Sequence, residues 1–396
     1  MNIPRAKQRG GDIPNLLLYR LGSLDDADLD SRLERLFASK RHRLFLNTPG
    51  SGKTRTVLEG LTRFWGLYVT CQEDQFLGSQ DLSTGMESLK HKLNAVENDQ
   101  QLGLLLANQQ AAGRKLTEVL FSRIVIMEYF TSFIKDTTIT NEHRLHWLYL
   151  QVCPSLLDRD NESADIFHDL TMVLEYADLD ISQMKYTLSL SLFNICSNLR
   201  LEDDDADLYI VIDEAQTAVK KYGTSFRSQD YKIPRPILRE LVVNWARLIP
   251  DTGRRAMKAT YIITGTGIDM ELIRDALSST TCKSDKVYKV SHSGIFDTAA
   301  SQQHYAVPFF PAEIARSVGG KVLLERMFYW LRGRHRFTAE FITMLLRADF
   351  HNPHILLSDY IKHIAGFYPT DAPDQFALGI SLPLLDFSKD RSRLAM

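Results

Sequence analysis

Apolar and polar positions alternate between two regimes along this chain. Short runs dense in strand formers recur at wide intervals: Leu44-Phe45-Leu46, Gly66-Leu67-Tyr68-Val69-Thr70, Leu208-Tyr209-Ile210-Val211-Ile212, Thr260-Tyr261-Ile262-Ile263 and Val287-Tyr288-Lys289-Val290. The run at 208–212 is apolar throughout, as in a strand covered on both faces. Between the runs the spacing is helical. Lys53 to Leu61 predicts a helix, as do Asp26 to Phe37, with Leu29, Leu33 and Leu36 on one face, and the segment from Pro236 through Trp245. Asp269 to Leu277 and Phe337 to Leu346 follow suit. From about Asp81 to Arg200 prolines and glycines are few; Leu116, Leu120, Ile124 and Met127 share a helical face, and Trp147, Leu148 and Leu150 form a second apolar segment. The pattern predicts an α/β fold with a parallel sheet core over 44–300. A large helical insertion over 81–200 separates the second strand from the strand at 208–212. A helical lid occupies 301–396 and a lead-in 1–43, in which Ile13-Pro14-Asn15-Leu16-Leu17-Leu18 packs as an extended arm.

Composition narrows the function classes. The 396 residues are 44% hydrophobic and 24% charged, so a sizeable core forms without staples. A net charge of −2 gives no overall basic field, and DNA is not indicated. Cys71, Cys153, Cys196 and Cys282 lie far apart with no C-x-x-C pair, the usage of reduced thiols in an intracellular protein, cytoplasmic or nuclear. Leu16-Leu17-Leu18 after Arg5, Lys7 and Arg9 is too short for a signal peptide, and no run reaches a membrane span. His143 and His146 share a helix face without an evident third ligand, so a packed or surface pair is expected rather than zinc. His351 and His354 are expected in a turn around Asn352-Pro353. The runs Lys40-Arg41-His42-Arg43 and Glu202-Asp203-Asp204-Asp205 are expected as solvated loops, the first with a phosphate or nucleic-acid contact as its alternative.

The chemistry is concentrated after the first strand. Strand, glycine-rich loop and helix over 44–61 form the context of a phosphate-binding P-loop. The cradle is expected over Asn47, Thr48, Pro49, Gly50, Ser51, Gly52, Lys53, Thr54 and Arg55, with backbone N–H groups and the helix N-terminus around the phosphates. Lys53 would reach the β- and γ-phosphates, and the Thr54 hydroxyl would ligate Mg²⁺. Such a run arises by chance in about one chain of this length in a thousand. Asn47 stands where the pattern has its first glycine, and its tolerance of left-handed backbone keeps the turn open.

The apolar run at 208–212 ends in Asp213-Glu214-Ala215-Gln216. An acid pair closing an apolar strand downstream of a P-loop is the Walker B pattern: Asp213 for Mg²⁺, Glu214 to orient or activate the attacking water. Gln216 senses the γ-phosphate or caps the next turn. Thr264 and Thr266, in Thr264-Gly265-Thr266-Gly267, help place the water or form a plain turn. Arg274 is a surface arginine or a finger acting in trans. In Gly333-Arg334-His335-Arg336, Arg334 and Arg336 either place a guanidinium on the γ-phosphate or form a basic surface turn.

Taken together, the P-loop, the Val211-Ile212-Asp213-Glu214-Ala215-Gln216 strand end, Thr264-Gly265-Thr266-Gly267 and Gly333-Arg334-His335-Arg336-Phe337 resemble the NTPase module of Crinkler-type proteins. That module is similar to the retrotransposon hot-spot proteins of trypanosomes and lies within the AAA+/STAND-like P-loop ATPases. The resemblance runs from about Ile13 to Tyr368. It implies an ATPase module with strand order of the AAA+ kind, without the ubiquitin-like header or the nuclease or kinase-like effector domain that accompany it elsewhere. The expectation is Mg²⁺-dependent ATP binding and hydrolysis, coupled to conformational change or assembly through a homo-oligomer or a protein partner on the helical insertion. The absence of a guanine-reading N-K-x-D run favours ATP. The alternatives are a signalling switch with little or no hydrolysis and a DNA transposition helper.

Overall fold

The chain opens on an antiparallel hairpin, β1 (Arg5–Gln8) and β2 (Gly11–Pro14). The computed structural model describes residues 5–8, 11–23, 28–39, 41–72, 77–157, 164–177, 179–201, 206–228, 233–249, 257–278 and 287–371. Asp26, Lys40, the acidic run at 202–205 and Cys282 lie outside them. Two units result: residues 20–47 with 53–292, and residues 1–19, 48–52 and 293–396.

In the larger unit α1 (Leu29–Leu36) buries Leu29, Leu33 and Leu36, and leads into β3 (His42–Leu46), α2 (Lys53–Leu61) and β4 (Gly66–Thr70). The chain is then helical: α3 (Asp81–Ser88), α4 (Leu102–Ile134), α5 (Asn141–Val152), α6 (Ile166–Ala177) and α7 (Ile181–Leu199). At 33 residues α4 is about 50 Å long. It buries Leu116, Leu120, Ile124 and Met127. Arg123 of α4 is fully buried and paired with Asp81 of α3. His143 caps α5, its Nδ1 accepting the Thr140 N–H at 3.1 Å. Among the described residues no His, Cys, Asp and Glu group suits a metal ion.

The strands resume with β5 (Asp207–Asp213), followed by α8 (Gln216–Lys220) and a short pair, β6 (Phe226–Arg227) and β7 (Pro234–Arg235). After α9 (Ile237–Leu248) come β8 (Lys258–Gly265), α10 (Met270–Ser278) and β9 (Val287–Val290). Among the described residues the central sheet has five strands in the order β4-β5-β8-β3-β9, all parallel. β8 therefore lies between β3 and β5. β5 is buried from Leu208 onward, which its unbroken apolar run anticipated.

In the smaller unit α11 (Ala299–Ala306), α12 (Ala312–Arg316), α13 (Val318–Leu331), α14 (His335–Arg347) and α15 (Pro353–Ala365) share an apolar core that includes Leu323, Met327, Phe341 and Leu357. Leu16 joins this core from a turn after β2 rather than from an extended arm. His354 is not a turn residue. Asn352 takes the left-handed turn at φ 46°, Pro353 starts α15, and His354 sits in its first turn with Nε2 3.2 Å from the Gly319 carbonyl oxygen. Burial and the neighbouring Arg326 push the His354 pKa down. No helix among the described residues is long and apolar enough to cross a membrane.

Candidate active site

Parallel pairing brings the sequence-distant candidates to one sheet edge. Phe45 pairs with Thr264 and Leu46 with Gly265; Ile212 pairs with Ile263 and Thr70 with Asp213. The carboxyl ends of β3, β8, β5 and β4 thus lie side by side, where open α/β sheets place ligands.

The exit from β3 departs from expectation. Asn47 is not left-handed; Gly50 and Gly52 are, at φ 74° and 93°. Asn47 instead uses its side chain, donating from Nδ2 to the Ser291 carbonyl oxygen at 2.7 Å and so fastening the strand exit to the segment after β9. The turn falls at the glycines, where no Cβ opposes it. The loop closes with the Ser51 N–H on the Thr48 carbonyl oxygen at 3.3 Å. Lys53 begins α2, is buried, and donates from Nζ to the Asn47 carbonyl oxygen at 3.0 Å. Thr54 follows, half-buried. Arg55 directs its guanidinium to Glu59 at 2.8 Å and to the Arg20 carbonyl oxygen at 3.2 Å.

The loop residues 48–52 belong with the smaller unit, and α14 begins on them. It starts at His335, two residues earlier than its apolar spacing predicts, so Arg334 is the N-cap and Arg336 lies in the first turn. The Arg336 N–H donates to the Gly50 carbonyl oxygen at 3.1 Å, and a Cβ on Gly50 would lie 2.6 Å from that of Arg336. His335 Nδ1 is 3.0 Å from the Ser51 carbonyl oxygen. The Arg334 guanidinium lies 5.9 Å from the Phe337 ring centroid. Nothing in the sequence distinguished His335 from its two arginine neighbours.

At the end of β5 the acids are held firmly. Asp213 is 1% exposed; Oδ1 accepts from Thr264 Oγ1 at 2.8 Å and from the Glu214 N–H at 2.9 Å, and Oδ2 accepts from the Tyr68 hydroxyl at 3.0 Å. Tyr68 went unnoticed in the sequence, where it is one aromatic in a strand. Thr264 is a buried strand residue, which rules out the plain-turn reading for it. Glu214 has left-handed backbone, φ 50°, and its carboxylate accepts from Gln216 Nε2. Gln216 Oε1 in turn accepts the Thr266 N–H at 3.2 Å, and the Ala215 N–H donates to the Thr264 carbonyl oxygen at 3.0 Å. Cys71, at the end of β4, is buried; desolvation together with Asp213 and Glu214 pushes its thiol pKa up, so it stays protonated. Arg274 is half-exposed and paired with Glu271 at 2.9 Å.

The loop at 48–52 and the end of β5 each have polar capacity of their own. The Ser51 Oγ is buried with no hydrogen-bond partner among the described residues, in a loop with left-handed glycines at 50 and 52. An ionised carboxylate has about four acceptor positions; three donors fix Asp213 and leave one for a metal or its water.

No protein-family model matches the chain, and no curated protein matches it. Among solved structures, a Walker-type ATPase of Pyrococcus abyssi is similar over 87% of this chain and 73% of its own, with 15% sequence identity and a TM-score of 0.43.

Proposed function

We propose that the chain binds ATP with Mg²⁺ and hydrolyses it, as a P-loop ATPase module of the kind its Crinkler-type resemblance implies. The observation that supports this is the adjacency of β5, β8 and β3, which brings the acid pair and Thr264 beside the end of the strand that leads into the glycine-rich loop. The N–H groups of the loop and the N-terminus of α2 bind the phosphates. Lys53 moves from the Asn47 carbonyl to the β- and γ-phosphate oxygens. Thr54 and Asp213 would hold Mg²⁺, which would supply charge neutralisation at the phosphates. Glu214 orients the attacking water, with Thr264 and Thr266 beside it. Arg334 and Arg336, at the start of the helix whose first turn meets Gly50, would supply a guanidinium to the phosphates. The helices between β4 and β5 form the insertion through which nucleotide state reaches a partner or a second copy.

The test is ATP binding and turnover by the purified chain, with and without Mg²⁺, beside Lys53→Ala and Glu214→Gln. Loss of binding in Lys53→Ala, and binding without turnover in Glu214→Gln, support the reading. A wild type that binds no nucleotide overturns it. A second reading is a slow switch, in which the contact of Gln216 with one Glu214 oxygen restrains that carboxylate rather than orienting it. Tight binding without turnover, with ADP retained through purification, would select that reading.

A further inference from the structure

Tyr68 is the third residue of β4, and its polar groups reach three other elements. The hydroxyl donates to Asp213 Oδ2 at 3.0 Å, the N–H donates to Gln151 Oε1 of α5 at 2.8 Å, and the carbonyl oxygen accepts from Arg123 Nη1 of α4 at 2.6 Å. Arg123 Nε and Nη2 each donate to Asp81 of α3 at 2.6 Å, and the guanidinium lies 4.8 Å from the Phe167 ring centroid on α6. Tyr68, Asp213, Gln151, Arg123 and Asp81 are each at most 1% exposed.

A buried ion pair is poorly explained as a source of stability, because the cost of desolvating both charges offsets their attraction. What Arg123 supplies is geometry. Its planar fork joins α3 and α4 to one backbone carbonyl, and that carbonyl belongs to the residue whose hydroxyl fixes Asp213. The path from α4 to the carboxylate runs through a stiff strand and a rigid ring. A shift of α4 that lengthens the Arg123 contact therefore moves the Tyr68 hydroxyl relative to Asp213.

We propose that Tyr68 is a positioning residue through which the helices between β4 and β5 set the Asp213 carboxylate, and that these helices thereby regulate divalent-cation affinity at the site. This rests on the reading of Asp213 as a holder of Mg²⁺.

The experiment titrates Mg²⁺ into the full chain bound to a fluorescent N-methylanthraniloyl ATP analogue, for wild type, Tyr68→Phe and Asp213→Asn, and follows amide hydrogen exchange in α4. Tyr68→Phe should bind the analogue like wild type without Mg²⁺ and need about tenfold more Mg²⁺ for the same effect. Adding Mg²⁺ should slow exchange in α4 of wild type and leave it unchanged in Tyr68→Phe. If Asp213→Asn loses the Mg²⁺ effect while Tyr68→Phe keeps it in full, the proposal fails and the cation assignment stands. If Asp213→Asn keeps it, the cation assignment itself fails. Should Tyr68→Phe not fold, wild-type exchange decides alone: no slowing in α4 on adding Mg²⁺ overturns the proposal.

Discussion

Gln216 donates its side-chain amide to the Glu214 carboxylate while its own oxygen accepts the Thr266 N–H at 3.2 Å. The acid proposed to orient water is thereby tied, through one side chain, to the end of β8. A carboxylate so anchored is held in orientation through one of its oxygens. Gln216→Ala removes the anchor without touching the loop or Asp213. Steady-state kinetics should show kcat reduced about tenfold with KM for ATP changed less than twofold, the pattern of an interaction that matters mainly in the transition state. A rise in kcat would mean that the contact restrains the enzyme instead.

Glu214 itself sits at φ 50°, where a side chain costs about 1 kcal/mol and glycine costs none. Backbone strain of this kind collects at functional positions. Glu214→Gly should therefore raise stability by about 1 kcal/mol while abolishing turnover, and Glu214→Gln should abolish turnover without the gain. Denaturant melts of the two variants distinguish them. Equal midpoints would show that the left-handed backbone is costless here.

The strands are legible because each is a contiguous run whose composition states its place in the sheet. β5 is apolar from Leu208 to Ile212, ends at Asp213 and is followed by Glu214, and these facts are local. What remained hidden depends on pairing. Tyr68 meets Asp213 across 145 residues of chain, Asn47 meets Ser291 across 244, and His335 meets Ser51 across 284. In the sequence Asn47 stands in for a glycine, which suggests a backbone role; its side-chain role needs the segment after β9 beside it, which follows only from β9 pairing with β3. The start of α14 was placed late because Arg334, His335 and Arg336 break the apolar period, although they sit at the cap and first turn of the helix.

Acid should loosen the contact between α4 and α6. Glu175 of α6 accepts from Lys115 Nζ at 2.7 Å and from Lys92 Nζ at 2.9 Å, which pulls its pKa down to about 2. A carboxylate with a lowered folded-state pKa adds stability that is present above its unfolded value, 4.5, and is lost as pH falls through about 2. Glu175→Gln should melt below wild type at pH 7, and the gap should narrow as pH falls from about 4.5 toward 2. A gap constant across that range would show that the ion pairs contribute nothing.

Gly265 makes room for Gln216. A Cβ at this position would lie 2.4 Å from Gln216 Oε1, 2.6 Å from Ile268 Cδ1 and 3.3 Å from the Gln216 backbone nitrogen. Gly265 does not have a left-handed backbone, so the effect of an added methyl is steric rather than conformational. Gly265→Ala must push the Gln216 side chain off the Thr266 N–H and, with it, off Glu214. Its kcat should fall about as far as that of Gln216→Ala. In the double variant the two losses should not add, because both act through the same contact. Additive losses would mean that the methyl harms turnover by another route, through Ile268 or the course of the chain after β8, and that the anchoring of Glu214 by Gln216 has no share in it.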